Sequence, residues 1–169
     1  MATIEMKKLS SKNIVSPQGF KAAGVHAGIK HKKKDLAILV SEVPASVAGV
    51  FTTNAVQAAP LLVTKEVVYY SKKMQAMIVN SGNANACTGK QGLADAYEMQ
   101  ALAAEKLGID AKLVGVASTG VIGEIMNMEP VKAGVQLLEL DDTLESGIDF
   151  AQAILTTDTV MKNTTYATI

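Results

Sequence analysis

The chain has 169 residues, 49% of them apolar, which is enough to bury a sizeable core and too hydrophobic for a disordered chain. Acidic and basic residues balance at 16 each, every basic residue is lysine, and there is no tryptophan. Bidentate guanidinium recognition is therefore excluded, and nucleic-acid binding has neither an electrostatic footprint nor a stacking platform. No apolar run approaches the length of a membrane span. The single cysteine, Cys87, excludes an internal disulfide framework and suits a reducing compartment. Met1 to Ser16 is polar and has no apolar signal-peptide core, so a cytoplasmic protein is expected.

Residues 1–18 read as a loose arm or an edge strand ending at Pro17. The glycine-rich stretch Gly19–Lys30 predicts a strand and turn packed closely against other backbone. Lys30-His31-Lys32-Lys33-Lys34 reads as a solvated turn, with a phosphate contact as the alternative. Asp35–Ser41 is a buried strand by its β-branched and aliphatic run. Val47–Thr53 reads as another, and Pro44 between them suggests a hairpin. Leu61-Leu62-Val63 is expected to be extended, with Thr64 capping a helix through Tyr70. Gln75–Asn80 is a third strand, running into a loop of small polar residues to Gly89. Gly92–Leu107 carries an apolar stripe (Leu93, Ala96, Met99, Ala103, Leu107) followed by Gly108, the pattern of a helix and its C-terminal stop. A β-branched strand follows at about 113–118. Then come a helix opening near Pro130, with Val131, Val135 and Leu138 on one side, and another from Thr143 to about Leu155. The stripe of that last helix reads as Leu144, Ile148, Ala151 and Leu155, and a threonine-rich tail ends the chain. Strands apolar on both faces imply a sheet covered by helices, in a single domain over residues 1–169.

Two strand ends could carry chemistry. The Asn80–Gly89 loop offers Asn80, Asn83, Asn85 and Thr88 as neutral hydrogen-bonding groups. Ser118-Thr119-Gly120 replaces bulk with a hydroxyl and a glycine, which suits either a simple turn or an oxyanion hole. Neither phosphate-loop pattern occurs. Cys87 has only the distant His26 and His31 as basic partners, so it reads as structural, and a Ser–His–Asp triad is disfavoured. No Cys/His cluster has metal-ligand spacing. Asp95 and Glu98 read as the solvated face of their helix. The residues alone describe an enzyme-like α/β domain with an oxyanion-type turn and no visible nucleophile.

Five segments nevertheless match one family in register from about residue 14 to 160. They are Gly19-Phe20 with Ala22-Ala23-Gly24-Val25, Val47 to Asn54 with Ala58-Ala59-Pro60, Ile78 to Gly89, Ser118 to Gly123, and Thr156-Thr157-Asp158-Thr159. The chain resembles the α chain of the ornithine acetyltransferases, glutamate N-acetyltransferases of arginine biosynthesis. The resemblance implies a layered α/β/β/α sandwich, shared with related self-cleaving aminopeptidases. It also implies a precursor that cuts itself before a threonine into α and β chains held together as α2β2. The N-terminal threonine of β would carry acetyl from N-acetylornithine to glutamate, with acetyl-CoA accepted as a co-substrate by some members and no resident cofactor. Thr119 and Gly120 match the family's oxyanion pair, and Thr156 its substrate-binding threonine. The family's KGSGM…ATM segment, which bears a lysine and the nucleophile, does not occur in these 169 residues. Activity would then require the β chain. The rival expectations are an aminopeptidase of the same fold and a non-catalytic binding domain using the Asn80–Gly89 loop.

Overall fold

A computed structural model describes residues 5–168. In chain order the elements are β1 (Met6–Leu9), β2 (Phe20–Val25), β3 (Leu36–Ser46), α1 (Ala59–Glu66), β4 (Lys73–Asn83), α2 (Gly89–Leu107), β5 (Val114–Val121), α3 (Met128–Leu137), α4 (Leu144–Ala153) and β6 (Thr165–Thr168). Strands β2, β3, β4 and β5 lie side by side in that order, antiparallel except for the parallel pair β4–β5. A parallel pair needs a crossover, and α2 supplies it. β1 is indeed an edge strand, paired with β6 in a separate two-stranded ribbon. None of the described helices is long and apolar enough to cross a membrane.

The sheet is layered between helices. On one face Leu36, Ile38, Ile78, Val114 and Val116 pack against Val63, Met99, Ala103, Val131 and Val135 of α1, α2 and α3. On the other face α4 lies over β2 and β3, closing Phe150 and Ala153 onto Ala22 and Ala37. A Cβ on Gly24 would stand 2.2 Å from the Asp149 carbonyl oxygen, so α4 rests directly on strand backbone. This is the close packing that the glycine-rich stretch predicts. Cross-strand register places Ala22, Leu39, Met77 and Gly115 in one row of this face, and Gly24, Ala37, Val79 and Ala117 in the next. Leu39, Met77, Val79 and Ala117 remain half-buried.

Four local expectations are corrected. The hairpin at Pro44 does not form, because β3 runs on through Pro44 to Ser46 and pairs with β4 beyond a bulge between Val40 and Ala45. β2 pairs only as far as Ser41, so Pro44 lies on a stretch with one free edge, where a missing N–H costs nothing. Val47–Thr53 is irregular, and Val50 is fully exposed. Thr64 is not a cap. The helix starts at Ala59 with proline in its first turn, a position that tolerates the missing donor, and Leu61–Val63 is helical. A π-helical turn over Val67–Ser71 extends it to Lys72, which adopts φ 54°.

The third correction concerns α4, capped by Thr143 as expected but buried on a different face. Ser146, Gly147, Phe150 and Ala153 face inward, while Leu144 and Ile148 are exposed. Close approach selects small residues: a Cβ on Gly147 would lie 2.3 Å from Asn13 Oδ1, and the Ser146 hydroxyl donates to the Asp141 carbonyl at 2.7 Å. The fourth is Asp95, which is buried and accepts from Gln91 Nε2 at 2.8 Å. Glu98 is solvated as expected and pairs with Lys132. The α2 and α3 helices otherwise follow their predicted stripes, with Gly108 closing α2 in the left-handed conformation.

Candidate active site

The parallel pair β4–β5 aims two strand ends at one place. Ser81 is opposite Thr119, and Gly82 is opposite Gly120. Strand β5 continues past Ser118 to Val121, so the Ser-Thr-Gly segment is the end of a strand and not a turn. Gly120 has φ 139°, and a Cβ there would lie 2.3 Å from the Gly82 carbonyl carbon. Gly82 has φ 112°, and its Cβ would meet Lys30 Cγ at 2.9 Å and Ile29 Cγ2 at 3.1 Å. Both glycines are therefore required by contact as well as by backbone angle.

Thr119 and Gly120 open into a cleft of about 400 Å3 whose other walls are Lys30, Gly82, Val121, Thr156 and Thr157. The three residues singled out in the sequence, Thr119, Gly120 and Thr156, thus share one cleft although they come from separate segments. Thr156 reaches it because the end of α4 is tied down twice. The Ser81 hydroxyl donates to the Ala153 carbonyl at 2.5 Å, and Lys30 Nζ donates to the Leu155 carbonyl at 2.9 Å. The Ala153 carbonyl at the helix end lacks an intrahelical donor, which Ser81 provides, and Lys30 holds the residue that follows the C-cap.

Lys30 also lines the cleft, although no local motif marks it in the sequence. It lies inside a lysine run that reads as solvated, and His31, Lys32 and Lys33 are indeed exposed. Lys30 instead turns inward over Gly82 because Asp35 shapes the preceding loop. The buried Asp35 carboxylate accepts from the backbone N–H groups of Ala27 (2.6 Å), Gly28 (3.2 Å) and Lys30 (2.7 Å). His26 Nδ1 lies 3.3 Å from the same carboxylate and 2.9 Å from the Lys33 carbonyl. Burial holds the Lys30 ammonium below the ordinary lysine range, Asp35 opposes that shift, and Lys33 adds to it. An aspartate closing the loop five residues on was the available signal, and the charge run concealed it.

The asparagine loop has a different role from the one expected. Asn83 Nδ2 donates to the Glu124 carbonyl at 3.0 Å, and its Oδ1 accepts from Asn85 N–H at 2.7 Å. Asn85 Nδ2 donates to the Gly92 carbonyl at 2.8 Å, and Thr88 donates to Asn85 Oδ1 at 2.7 Å. These groups are spent on holding the loop, where Asn85 and Cys87 adopt positive φ, and on seating the first turn of α2. Asn80 Nδ2 donates to the Asn83 carbonyl at 2.9 Å, while its buried Oδ1 has no hydrogen-bond partner among the described residues. Among the described residues there is no group of three or more His, Cys, Asp or Glu that could hold a metal ion.

The ArgJ family matches residues 21–169 of the chain. The chain is similar to the arginine biosynthesis bifunctional protein ArgJ of Streptococcus mutans, with 58% identity over 92% of this chain and 38% of that protein. Its counterpart from Halalkalibacterium halodurans is 53% identical over 99% of this chain and 41% of that protein. The chain therefore spans about two-fifths of the length of these curated relatives. Among solved structures, ArgJ from Bacillus halodurans superposes with a TM-score of 0.95 at 52% identity, covering 99% of this chain and 88% of that one. Ornithine acetyltransferase from Mycobacterium tuberculosis, complexed with ornithine, superposes with a TM-score of 0.88 at 38% identity, covering 98% and 94%. The layered α/β fold is the one these structures share.

Proposed function

The chain belongs to the ArgJ family, and from that premise we propose that it forms the oxyanion-binding part of an acetyltransferase that moves acetyl from N-acetylornithine to glutamate. The observation that carries the reading is the convergence of Thr119, Gly120 and Thr156 on one cleft. The nucleophile is the N-terminal threonine of a second chain, β, from the same precursor. Its own α-amine, with an ordinary pKa near 8, takes the hydroxyl proton, so no histidine is needed. Attack on the acetyl carbonyl places negative charge on oxygen, which the Thr119 hydroxyl and the Gly120 N–H receive. Such donors contribute about 2.7–4 kcal/mol each when preorganised away from water. The tetrahedral intermediate collapses with loss of ornithine as the protonated amine, leaving an acetyl ester on the threonine. The glutamate amine then attacks that ester, giving N-acetylglutamate and restoring the hydroxyl. Closure of the cleft against water keeps hydrolysis from competing. Thr156 binds both amino acids in turn.

The half-buried rows containing Leu39, Met77, Val79 and Ala117 support the partner reading, since a second sheet laid on them would complete an α/β/β/α sandwich. On this reading residues 1–169 are a single α-chain domain of a cytoplasmic α2β2 enzyme. The test is direct: protein purified from the full-length gene is offered acetyl-labelled N-acetylornithine with glutamate, and in parallel short peptides with free N-termini. Acetyl-CoA, which the resemblance implies as a co-substrate for some members, is offered in the same assay as a labelled acetyl donor to glutamate. Labelled N-acetylglutamate without peptide hydrolysis is expected. Peptide hydrolysis without acetyl transfer would assign the fold to an aminopeptidase instead.

A further inference from the structure

We propose that Lys30 is the carboxylate-recognising residue of the cleft, its ammonium pairing with the α-carboxylate of the amino-acid substrate while Thr119 and Gly120 receive the acyl oxygen. This rests on the reading of the cleft as an amino-acid acyl site. Among the described residues that line the cleft, Lys30 is the one with a charge; Gly82, Thr119, Gly120, Val121, Thr156 and Thr157 are neutral. An ammonium has three N–H donors. One goes to the Leu155 carbonyl, which fixes the side chain in the cleft and leaves two donors for a ligand. The Asp35 carboxylate does not line the cleft and is taken up by three backbone N–H groups, so it holds the loop and is not the cation's full partner. The remaining nearby charge, Lys33, has the same sign as Lys30 and favours an anion. A partly desolvated ammonium gains more from a carboxylate than a solvated one does. Burial shifts the Lys30 ammonium downward, which shows the cost that an anionic ligand would relieve. Thr156 and Thr157 line the same cleft and carry hydroxyls that can add donors. N-acetylornithine and glutamate share an α-carboxylate and differ beyond it, so one cation serves both halves of the reaction.

The experiment uses the intact two-chain protein and two ligands, N-acetylornithine and its α-carboxamide, with binding measured by calorimetry and acetyl transfer measured separately. Wild type should bind the acid at least about tenfold more tightly than the amide. Lys30→Met should weaken the acid about tenfold to a hundredfold, the scale of a lost charge-assisted hydrogen bond, and leave the amide unchanged. Lys30→Gln, which keeps a donor for the Leu155 carbonyl and removes the charge, should behave the same way, and Lys30→Arg should restore part of the preference. Equal loss of acid and amide would reduce Lys30 to a tether for Leu155 and overturn the proposal, as would an acid preference that survives loss of the charge. Wild type that prefers the acid yet transfers no acetyl would reject the acetyl-transfer reading alone. Transfer with an acid preference intact in Lys30→Gln would reject the role of Lys30 alone.

Discussion

At the scale of single residues the cleft makes separable demands. Thr119→Ala removes one oxyanion donor and should lower kcat by about a hundredfold with little change in KM, because the bond is made mainly in the transition state. Steady-state kinetics on the correctly processed protein decide this, and an unchanged kcat would remove Thr119 from the oxyanion role. Thr156→Val keeps shape and deletes the hydroxyl, leaving a buried substrate group without a partner at a cost of about 1–3 kcal/mol. The affinities for N-acetylornithine and glutamate should fall together in a titration, and unaltered affinity for both would return Thr156 to a structural role. Of the three proposed site residues, Thr119 and Gly120 are legible from local chemistry, and Thr156 is marked only by the family resemblance. A Ser-Thr-Gly strand end declares a hydroxyl beside a glycine, whereas Lys30 becomes part of the site only through Asp35 and Gly82, contacts that no neighbouring residue announces.

At the scale of elements, periodicity served where burial is one-sided and long. The stripes of α2 and α3 are legible because each helix faces one core, to which the aliphatic runs of β4 and β5 also contribute. The segment from Val47 to Thr53 has the composition of a strand but is irregular, because β3 itself runs on to Ser46 and pairs there with β4. Thr64 is a further case: its hydroxyl donates to the Val116 carbonyl at 2.7 Å and accepts from Val116 N–H at 2.8 Å, stapling α1 to β5 from mid-helix. Thr64→Val should cost about 1–3 kcal/mol, because two buried backbone groups lose their partner, and Thr64→Ser should recover most of it. The shift in denaturation midpoint measures this, and equal midpoints for the Val variant and wild type would contradict it. Gly24→Ala drives a methyl into the Asp149 backbone and should cost about 1–3 kcal/mol by the same measurement. A stability within experimental scatter of wild type would mean that α4 can lift from β2 freely.

At the scale of the whole molecule, an apolar sheet face only partly covered by α4 and a cleft lined by Thr119, Gly120 and Thr156 support the proposal that the site is divided between two chains. Composition already implied strands apolar on both faces, but which face stays open depends on where α4 lands. That was set by Gly24, Gly147 and Ser146, not by the leucine and isoleucine stripe that dominates the sequence of the helix. The account holds that the acyl group rests on a partner threonine while this chain stabilises the charge. The most direct test is to mix the intact protein with N-acetylornithine in the absence of glutamate, quench in acid, and weigh each chain by mass spectrometry. One acetyl group should appear on the second chain, at its N-terminal threonine, with none on residues 1–169. Acetylation of this chain, or of neither chain while transfer to glutamate proceeds, would contradict the account.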